Sequence, residues 1–306
     1  MYYQISETLI PSTHKICLAE NLPYVIVLTI EEWQRKKEDF QIHLDLDFHV
    51  KHFSTTKAEV NADAITGSFS IPDRYHPASQ PEARFAFAMT EAGIIFIGEH
   101  PILGQIIEHI HTVKRWRQPS LERFLYDFIE SMMKEDVRLL EGYQMALNEV
   151  EDQLLEGHDV KHIHQLNAIR RDFTVLDRHY EQLMDVAQEL YENENGFFAE
   201  ENLRYFHLLL SRISRLQTLI SALHDHVVQI RDLHRSQMDA KQNKLMSMLT
   251  IVTTCCLPLN ILVGWYGMNF KYMPELSQKW AYPVIIIVAI TLFSGAIYYF
   301  KKKKWL

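Results

Sequence analysis

The distribution of apolar and charged residues along the chain separates its C-terminal end from everything before it. Leu245 to Phe270 contains no charged side chain over 26 residues, and Trp280 to Phe300 contains none over 21. A helix needs about 20 apolar residues to cross the hydrocarbon core of a bilayer, and a buried core helix is seldom apolar for more than about 14. The pattern therefore predicts a transmembrane hairpin within 241–306, with spans at about 245–268 and 281–300.

The orientation of this hairpin follows from its flanks. Residues 271–279 are too few to form a domain, so both outer ends of the hairpin lie on the same side of the membrane. The basic residues that cluster on that side are Arg235, Lys241, Lys244 and Lys301–Lys304. Because Lys and Arg are enriched in cytoplasmic flanks, we expect a multi-pass protein of the plasma or inner membrane with both termini in the cytoplasm.

Residues 1–118 combine short strand patterns with helical ones, which predicts a cytoplasmic α/β domain. The apolar run that begins after Pro23 indicates a strand leading into a helix that is capped by Thr29 or a residue near it. The segments Lys57–Ile71 and Ala83–Gly98 have the composition of strands interrupted by turn residues.

Residues 119–240 have a helical periodicity that predicts a cytoplasmic stalk. A first helix is expected to begin after Ser120 and to continue to Gly157, and a second covers about Asp159–Tyr191. After a polar break, a third begins near Glu200 and meets no Gly or Pro until Pro258, so we expect it to continue into the first span. A helix of this length is stable only if its apolar stripe packs on neighbours or on copies of itself.

Charge is distributed as unevenly as hydropathy. The last 66 residues hold eight Lys and one acid, Glu275, whereas the first 240 hold 23 basic and 38 acidic side chains. An acidic body argues against nucleic acid as a partner, since the phosphates would be repelled. Three cysteines cannot build a disulfide framework, so the reducing cytosol is the expected compartment for the part outside the membrane.

The first predicted span has a distinct face. At alternating steps of three and four, one side of the helix carries Asn243, Met246, Thr250, Thr253, Leu257, Asn260 and Gly264. Polar residues within a span face either a helix–helix interface or a water-filled path, and periodicity alone leaves both possible. A chain with two spans cannot enclose a pore by itself, so a conducting role requires a ring of copies.

The residues that follow this face resemble a known family. Tyr266-Gly267-Met268-Asn269-Phe270 has the form of the signature of CorA magnesium transporters, and Met273-Pro274-Glu275-Leu276 follows at the family's spacing. The resemblance implies an α+β membrane protein: an N-terminal α/β domain and a helical stalk whose very long helix continues into the first of two C-terminal spans. It further implies a homopentameric funnel in which the first spans line the pore.

The resemblance also implies roles for individual residues. Ion selectivity is assigned to Gly267, Met268 and Asn269, with the Asn269 amides forming the outer ring. The pore and its gate are assigned to Asn243, Met246, Leu249, Thr250, Thr253 and Leu257, with Asn260 and Gly264 in the upper part. Mg²⁺ holds its water shell tightly, and neutral amides can hydrogen-bond those waters without removing them.

Two positions depart from the family pattern. Leu208 stands where archetypal members have the Asp of a regulatory magnesium site, so we do not expect metal sensing at that position. Lys271 replaces an acid in the loop between the spans, which leaves Glu275 as the loop's only acid to concentrate cations.

The sixteen histidines raise the possibility of a softer metal, such as Zn²⁺. The candidate groups are His158 with Asp159 and His162, His224 with Asp225 and His226, and His43 with Asp45, Asp47 and His49. A solvated or hydrogen-bonded surface is the favoured interpretation of each group.

Together these features predict a channel-type transporter, not an enzyme, that carries hydrated Mg²⁺ into the cytosol down its electrochemical gradient. Co²⁺ and Ni²⁺ are alternative substrates. A zinc transporter of the ZntB-like branch is the nearest rival. A non-conducting membrane metal sensor or scaffold is a rival of another class, in which the polar face only packs.

Overall fold

The computed structural model describes residues 1–13, 22–40, 55–99, 101–156 and 163–303 of the chain. It divides into two compact units, Met1–Ile230 and Arg231–Leu306. The first unit contains a mixed α/β part and a helical part, and the second contains the two apolar helices. The domain boundaries at 118 and 240 stay predictions.

Within the described residues, seven strands form one sheet in the order β2-β1-β3-β7-β6-β5-β4. The strands are β1 (Tyr2–Ile5), β2 (Leu9–Pro11), β3 (Tyr24–Leu28), β4 (Lys57–Val60), β5 (Ile65–Ile71), β6 (Ala83–Thr90) and β7 (Gly93–Ile97). The neighbours β3 and β7 are parallel and all other pairs are antiparallel. The predicted α/β domain is thus confirmed, with strands at the segments that the sequence indicated.

Alternation along the strands gives the sheet two apolar faces. Phe85 and Phe87 of β6 point to one side, whereas Ala86 between them belongs to a core cluster on the other side with Trp33 and Phe40. On the first side, Phe128 stacks on Phe96 with a centroid distance of 4.5 Å. Successive strand residues point to opposite faces, so one strand supplies both cores.

Side-chain caps mark the start of two helices of the first unit. The helices of this unit are α1 (Ile30–Lys36), α2 (Pro101–Val113), α3 (Leu121–Met132), α4 (Asp136–Leu155), α5 (Ile163–Glu192) and the first part of α6 (Arg204–Tyr266). Thr29 forms a capping box with Glu32, and the Ser120 hydroxyl accepts a hydrogen bond from the Arg123 amide. Both caps were predicted, and both are confirmed.

The prediction of one helix from Ser120 to Gly157 was wrong in its continuity. α3 ends at Met132, a turn covers Met133–Glu135, and α4 begins at Asp136. No Gly or Pro marks this break. It lies where Arg74, from the segment between β5 and β6, donates to the Met132 carbonyl and pairs with Asp136 through Nε at 3.2 Å. A tertiary partner therefore ends the helix, because it satisfies a carbonyl that would otherwise lack one.

The helical part of the first unit is held by a regular apolar stripe on α6. Its buried members, at steps of three and four, are Phe206, Leu209, Ile213, Leu216, Ile220, Leu223, Val227 and Ile230. This spacing is that of helices packed side by side as in coiled coils. Contacts with α4 and α5 include the ring of His224 against Phe173 of α5, with centroids 5.4 Å apart.

The second unit contains the rest of α6 and α7 (Ala281–Lys302). Among the described residues, two helices are long and apolar enough to cross a membrane, and they are the helix ending at Tyr266 and α7. The prediction that a stalk helix continues into the first span is confirmed, since α6 is one helix of 63 residues with Pro258 inside it.

Candidate functional site

The two apolar helices of the second unit each have one partly buried stripe. On α6 it consists of Ile251, Cys255, Pro258, Leu259, Leu262 and Tyr266, and on α7 of Ala281, Ile285, Ala289, Ala296 and Phe300. Three of the α7 residues are alanines, and small side chains let helices approach closely within a membrane. We infer that the hairpin packs through these stripes.

The face singled out in the sequence lies on the opposite side of α6. At about 100° per residue, its centre is roughly half a turn from the buried stripe. Every member is exposed in the single chain, and so is Leu249, which the family resemblance adds: Asn243, Met246, Leu249, Thr250, Thr253, Leu257, Asn260 and Gly264. We call these eight residues the polar face. Contacts within one hairpin leave this face uncovered, although it carries amide and hydroxyl groups.

The two threonines of the polar face are oriented by the helix itself. The Thr250 hydroxyl donates to the Met246 carbonyl at 2.8 Å, and the Thr253 hydroxyl donates to the Leu249 carbonyl at 2.7 Å. Each hydroxyl hydrogen is used within the helix, so each oxygen keeps its lone pairs as acceptors.

The polar face ends at the Gly267-Met268-Asn269 tripeptide, where α6 stops. The Gly267 amide still donates to the Val263 carbonyl at 2.9 Å, and the Met268 amide donates to the Trp265 carbonyl at 3.3 Å. A Cβ built on Gly267 would lie 2.9 Å from the Val263 carbonyl oxygen, which is closer than side-chain carbons come to backbone oxygens. Only glycine fits this last turn without a shift of the backbone.

Asn269 lies directly after this turn, outside the helix and exposed. Its side chain makes no hydrogen bond within the part of the chain that the structure describes. The amide is therefore available to a ligand. Its position depends on the helix end that Gly267 permits.

The loop between the spans begins with an open cavity of about 510 Å³ beside the tripeptide. Its lining is aromatic with one charge of each sign: Trp265, Tyr266, Phe270, Lys271, Tyr272, Met273, Pro274 and Glu275. Glu275 lies in a short 3-10 turn, Pro274–Ser277, which the Ser277 hydroxyl closes by donating to the Pro274 carbonyl. Glu275 is exposed, as its predicted electrostatic role requires.

The other metal-related positions that the structure describes behave as surface or packing groups. Leu208 on α6 is 48% exposed and offers no ligand atom. His226 Nε2 lies 2.8 Å from Oε2 of Glu151 on α4. No group of three or more metal-ligating side chains occurs among the described residues. The two other histidine groups lie outside the described residues: His43, Asp45, Asp47 and His49, and His158, Asp159 and His162.

A charged cluster that the sequence analysis missed joins α3 to α6. Asp127, fully buried, accepts hydrogen bonds from Lys114 Nζ at 2.7 Å, Trp116 Nε1 at 2.7 Å and Arg123 Nε at 3.1 Å. Burial would raise the pKa of Glu130, but hydrogen bonds from Lys114 and Arg212 outweigh it and hold that pKa below its ordinary value. Only the i,i+4 pair Arg123–Asp127 is visible in the sequence.

Comparison with known proteins identifies the family. The sequence model described as "CorA-like Mg2+ transporter protein" matches residues 31–303. The chain belongs to the CorA family. Its membership rests on a match that includes the sheet domain from α1 onward, the stalk and both spans, so the resemblance first noted in the tripeptide extends along most of the chain.

An individual CorA-family member gives the same assignment. A curated relative, "Cobalt/magnesium transport protein CorA" of Thermotoga maritima, is 30% identical over 190 residues, which are 62% of this chain and 54% of that protein. This alignment thus spans little more than half of the relative's length.

Solved structures of CorA-family and related proteins match the fold. The complete CorA magnesium transporter of Methanocaldococcus jannaschii matches with a TM-score of 0.79 at 18% identity, covering all of this chain and 98% of that one. The ZntB cytoplasmic domain of Vibrio parahaemolyticus matches with a TM-score of 0.59 at 14% identity, covering 78% of this chain and 97% of that one. At these identities the matches show the fold alone.

Proposed function

We propose that this CorA-family chain forms a homopentameric channel-type transporter that carries hydrated Mg²⁺ into the cytosol. The observation that carries the proposal is the polar face of α6. It lies opposite the packing stripe, is exposed along the first span, and ends at Asn269, whose amide makes no side-chain hydrogen bond to any described residue. Polar groups at membrane depth require a wet path or a polar neighbour, and several copies around an axis provide a wet path.

The Asn269 amide suits a hydrated divalent cation. Mg²⁺ dehydrates reluctantly and accepts near-octahedral oxygen ligands. A ring of neutral amide oxygens accepts hydrogen bonds from the ion's waters, so the ion enters with its shell intact. Because the amides carry no charge, the ion also leaves readily. Glu275, exposed in the neighbouring loop, raises the local cation concentration.

Apolar members of the same face provide the gate. Met246, Leu249 and Leu257 are exposed on the polar face. In a ring of copies these side chains narrow the path, and an apolar constriction blocks ions by losing its water. Pro258 lies directly after Leu257, and a proline inside a helix removes a backbone hydrogen bond at which the helix can bend.

The membrane potential drives the transport. It supplies about 2.3 kcal/mol per charge for each 100 mV, and about twice that for a divalent ion. With both termini in the cytoplasm, the tripeptide lies on the outer side and the ion moves inward from Asn269 toward Asn243. No chemical step on the substrate is required.

The relatives support divalent cations as the substrate class. The Thermotoga maritima protein is named as a transporter of both cobalt and magnesium. The fold match to a ZntB domain leaves Zn²⁺ as the competing ion. We therefore propose Mg²⁺ as the substrate, with Co²⁺ or Ni²⁺ as further substrates. We expect no regulatory metal at Leu208.

Flux through reconstituted protein tests this proposal. Proteoliposomes are given Mg²⁺, Co²⁺, Ni²⁺ and Zn²⁺ in turn under an inside-negative potential. We expect Mg²⁺ influx with the native protein and a loss of about tenfold or more with Asn269→Ala, since hydrogen bonds to the ion's shell are lost. Gln278→Ala, which removes an exposed amide from the same loop, is the matched control and leaves flux unchanged.

Each other outcome assigns a different function. Strong Zn²⁺ influx without Mg²⁺ influx identifies a zinc transporter. Absence of influx for all four ions supports a non-conducting sensor or scaffold. Equal influx with and without Asn269→Ala removes the selectivity role of the amide ring.

A further inference from the structure

We infer that Thr250 and Thr253 supply hydrogen-bond acceptors in the middle of the path, and we call this pair of residues the acceptor step. It lets a hydrated cation cross the apolar part of the first span. The inference rests on the proposed transport function and deepens it. It assigns a specific role to two hydroxyls that periodicity places only on a face. Hydroxyls in this role favour hydrated cations over hydrated anions.

Both threonine hydroxyls already act as donors within α6. Each hydroxyl has one hydrogen, and each gives it to a carbonyl four residues earlier in α6, at 2.8 Å for Thr250 and 2.7 Å for Thr253. A hydroxyl oxygen has two lone pairs, which remain free to accept. In this arrangement both threonines present acceptors to the polar face and no donors.

Hydration water is oriented differently around cations and anions. Water bound to a cation turns its oxygen to the ion, so its hydrogens point outward and need acceptors. Water around an anion is oriented the other way and needs donors. A ring of hydroxyls without free hydrogens therefore stabilises a hydrated cation and offers nothing to a hydrated anion.

The two threonines divide the apolar part of the path along α6. At 1.5 Å per residue, the rise from Asn243 to Thr250 is about 10 Å, from Thr250 to Thr253 about 5 Å, and from Thr253 to Asn260 about 10 Å. Without the threonines, the amides of Asn243 and Asn260 would be separated by about 25 Å of path lined by Met246, Leu249 and Leu257. An apolar stretch of that length loses its water and excludes ions.

The second span contains a comparison group. The Thr291 hydroxyl of α7 donates to the Ile287 carbonyl at 2.8 Å, the same bond that Thr250 and Thr253 make. Thr291 is exposed but does not belong to the polar face. The bond by itself is thus a local property of threonine in a helix, and the proposed role depends on the face on which the hydroxyl lies.

The test uses isosteric substitutions in reconstituted full-length protein. Thr250→Val and Thr253→Val remove the hydroxyls and keep the side-chain volume. We expect each to lower Mg²⁺ influx about fivefold or more, which is the effect of one neutral hydrogen bond on a rate. The double variant is expected to have the greater loss.

Two further variants make the result specific. Thr250→Ser and Thr253→Ser keep the hydroxyl and are expected to retain most of the influx, which a packing role for the methyl group would not predict. Thr291→Val removes the same bond from α7 and is expected to leave influx unchanged.

The failure of this inference is distinct from the failure of the proposed function. If the native protein conducts Mg²⁺ and the double valine variant conducts equally well, the acceptor step is wrong and the transport proposal stands. If Thr291→Val lowers influx as much as the other two substitutions, the effect belongs to helix stability and the inference is overturned. A native protein that conducts no divalent ion overturns both.

Discussion

At the scale of single residues, local chemistry at the end of α6 decides where the candidate site lies. The Gly267 amide still donates to the Val263 carbonyl, as in the helix. Because glycine has no side chain, Gly267 can lie this close to the Val263 carbonyl oxygen. Asn269 follows outside the helix. The Gly267-Met268-Asn269 motif predicted a functional role for these residues, because the motif resembles a family signature. It could not predict the close approach at Gly267, which depends on the path of the backbone.

His179 is a residue whose environment the sequence gives no sign of. It is buried on α5, and burial, with Arg74 nearby, lowers its pKa to about 4, although a hydrogen bond to the Ser70 backbone opposes the shift. The unfolded chain, with an ordinary pKa near 6.5, binds a proton at a pH where the folded chain does not. The folded state therefore loses stability as the pH falls from about 6.5 toward 4.

We predict that replacing His179 removes part of this acid sensitivity. Between pH 7 and pH 4.5 the native protein should lose about 2 to 3 kcal/mol more stability than His179→Gln, measured by thermal unfolding of the full-length protein in detergent. The exposed His207 provides the control, and His207→Gln should follow the native pH profile. Parallel pH profiles for the native protein and His179→Gln would contradict the assignment.

At the scale of elements, the sequence predicted what is locally encoded. The caps at Thr29 and Ser120 and the polar break after Glu192 depend on neighbouring residues, and all three are confirmed. The break between α3 and α4 depends on Arg74, which lies 58 residues away from Met132, so no local pattern marks it. The order of strands in the sheet was likewise beyond prediction, because pairing joins distant segments.

The pairing of Arg74 with Asp136 gives a prediction about the stability of the junction between α3 and α4. Asp136 is buried, which raises its pKa, and Arg74 is the cation that opposes this. Arg74→Ala leaves the carboxylate buried without its partner and the Met132 carbonyl without its donor. We expect a loss of about 3 kcal/mol in the free energy of unfolding, measured by denaturant titration of the full-length protein.

A matched ion pair elsewhere controls for loss of charge. Arg35 pairs with Glu31 at 3.3 Å on the surface of α1, and both side chains are largely exposed. Arg35→Ala should cost less than about 1 kcal/mol. If the two arginine variants were equally stable, the account of how α3 ends would be wrong.

At the scale of the whole molecule, hydropathy predicted the spans but not their surroundings. Large apolar side chains along both spans are exposed in the single chain, among them Leu245, Val263 and Ile287. Such a surface requires lipid or further copies of the chain to cover it. The polar face of α6 is likewise exposed, because the described residues of a single chain do not cover it. A single sequence therefore predicts the face but not what covers it.

The structure of the assembled protein tests the central claim most directly. Purified protein in lipid nanodiscs with Mg²⁺ would be imaged by electron cryo-microscopy, and the position of Asn269 relative to any symmetry axis would be measured. We predict five copies whose Asn269 amides converge on a common axis, with density for a hydrated ion between them. Amides directed into lipid, or an assembly without a central axis, would contradict the account.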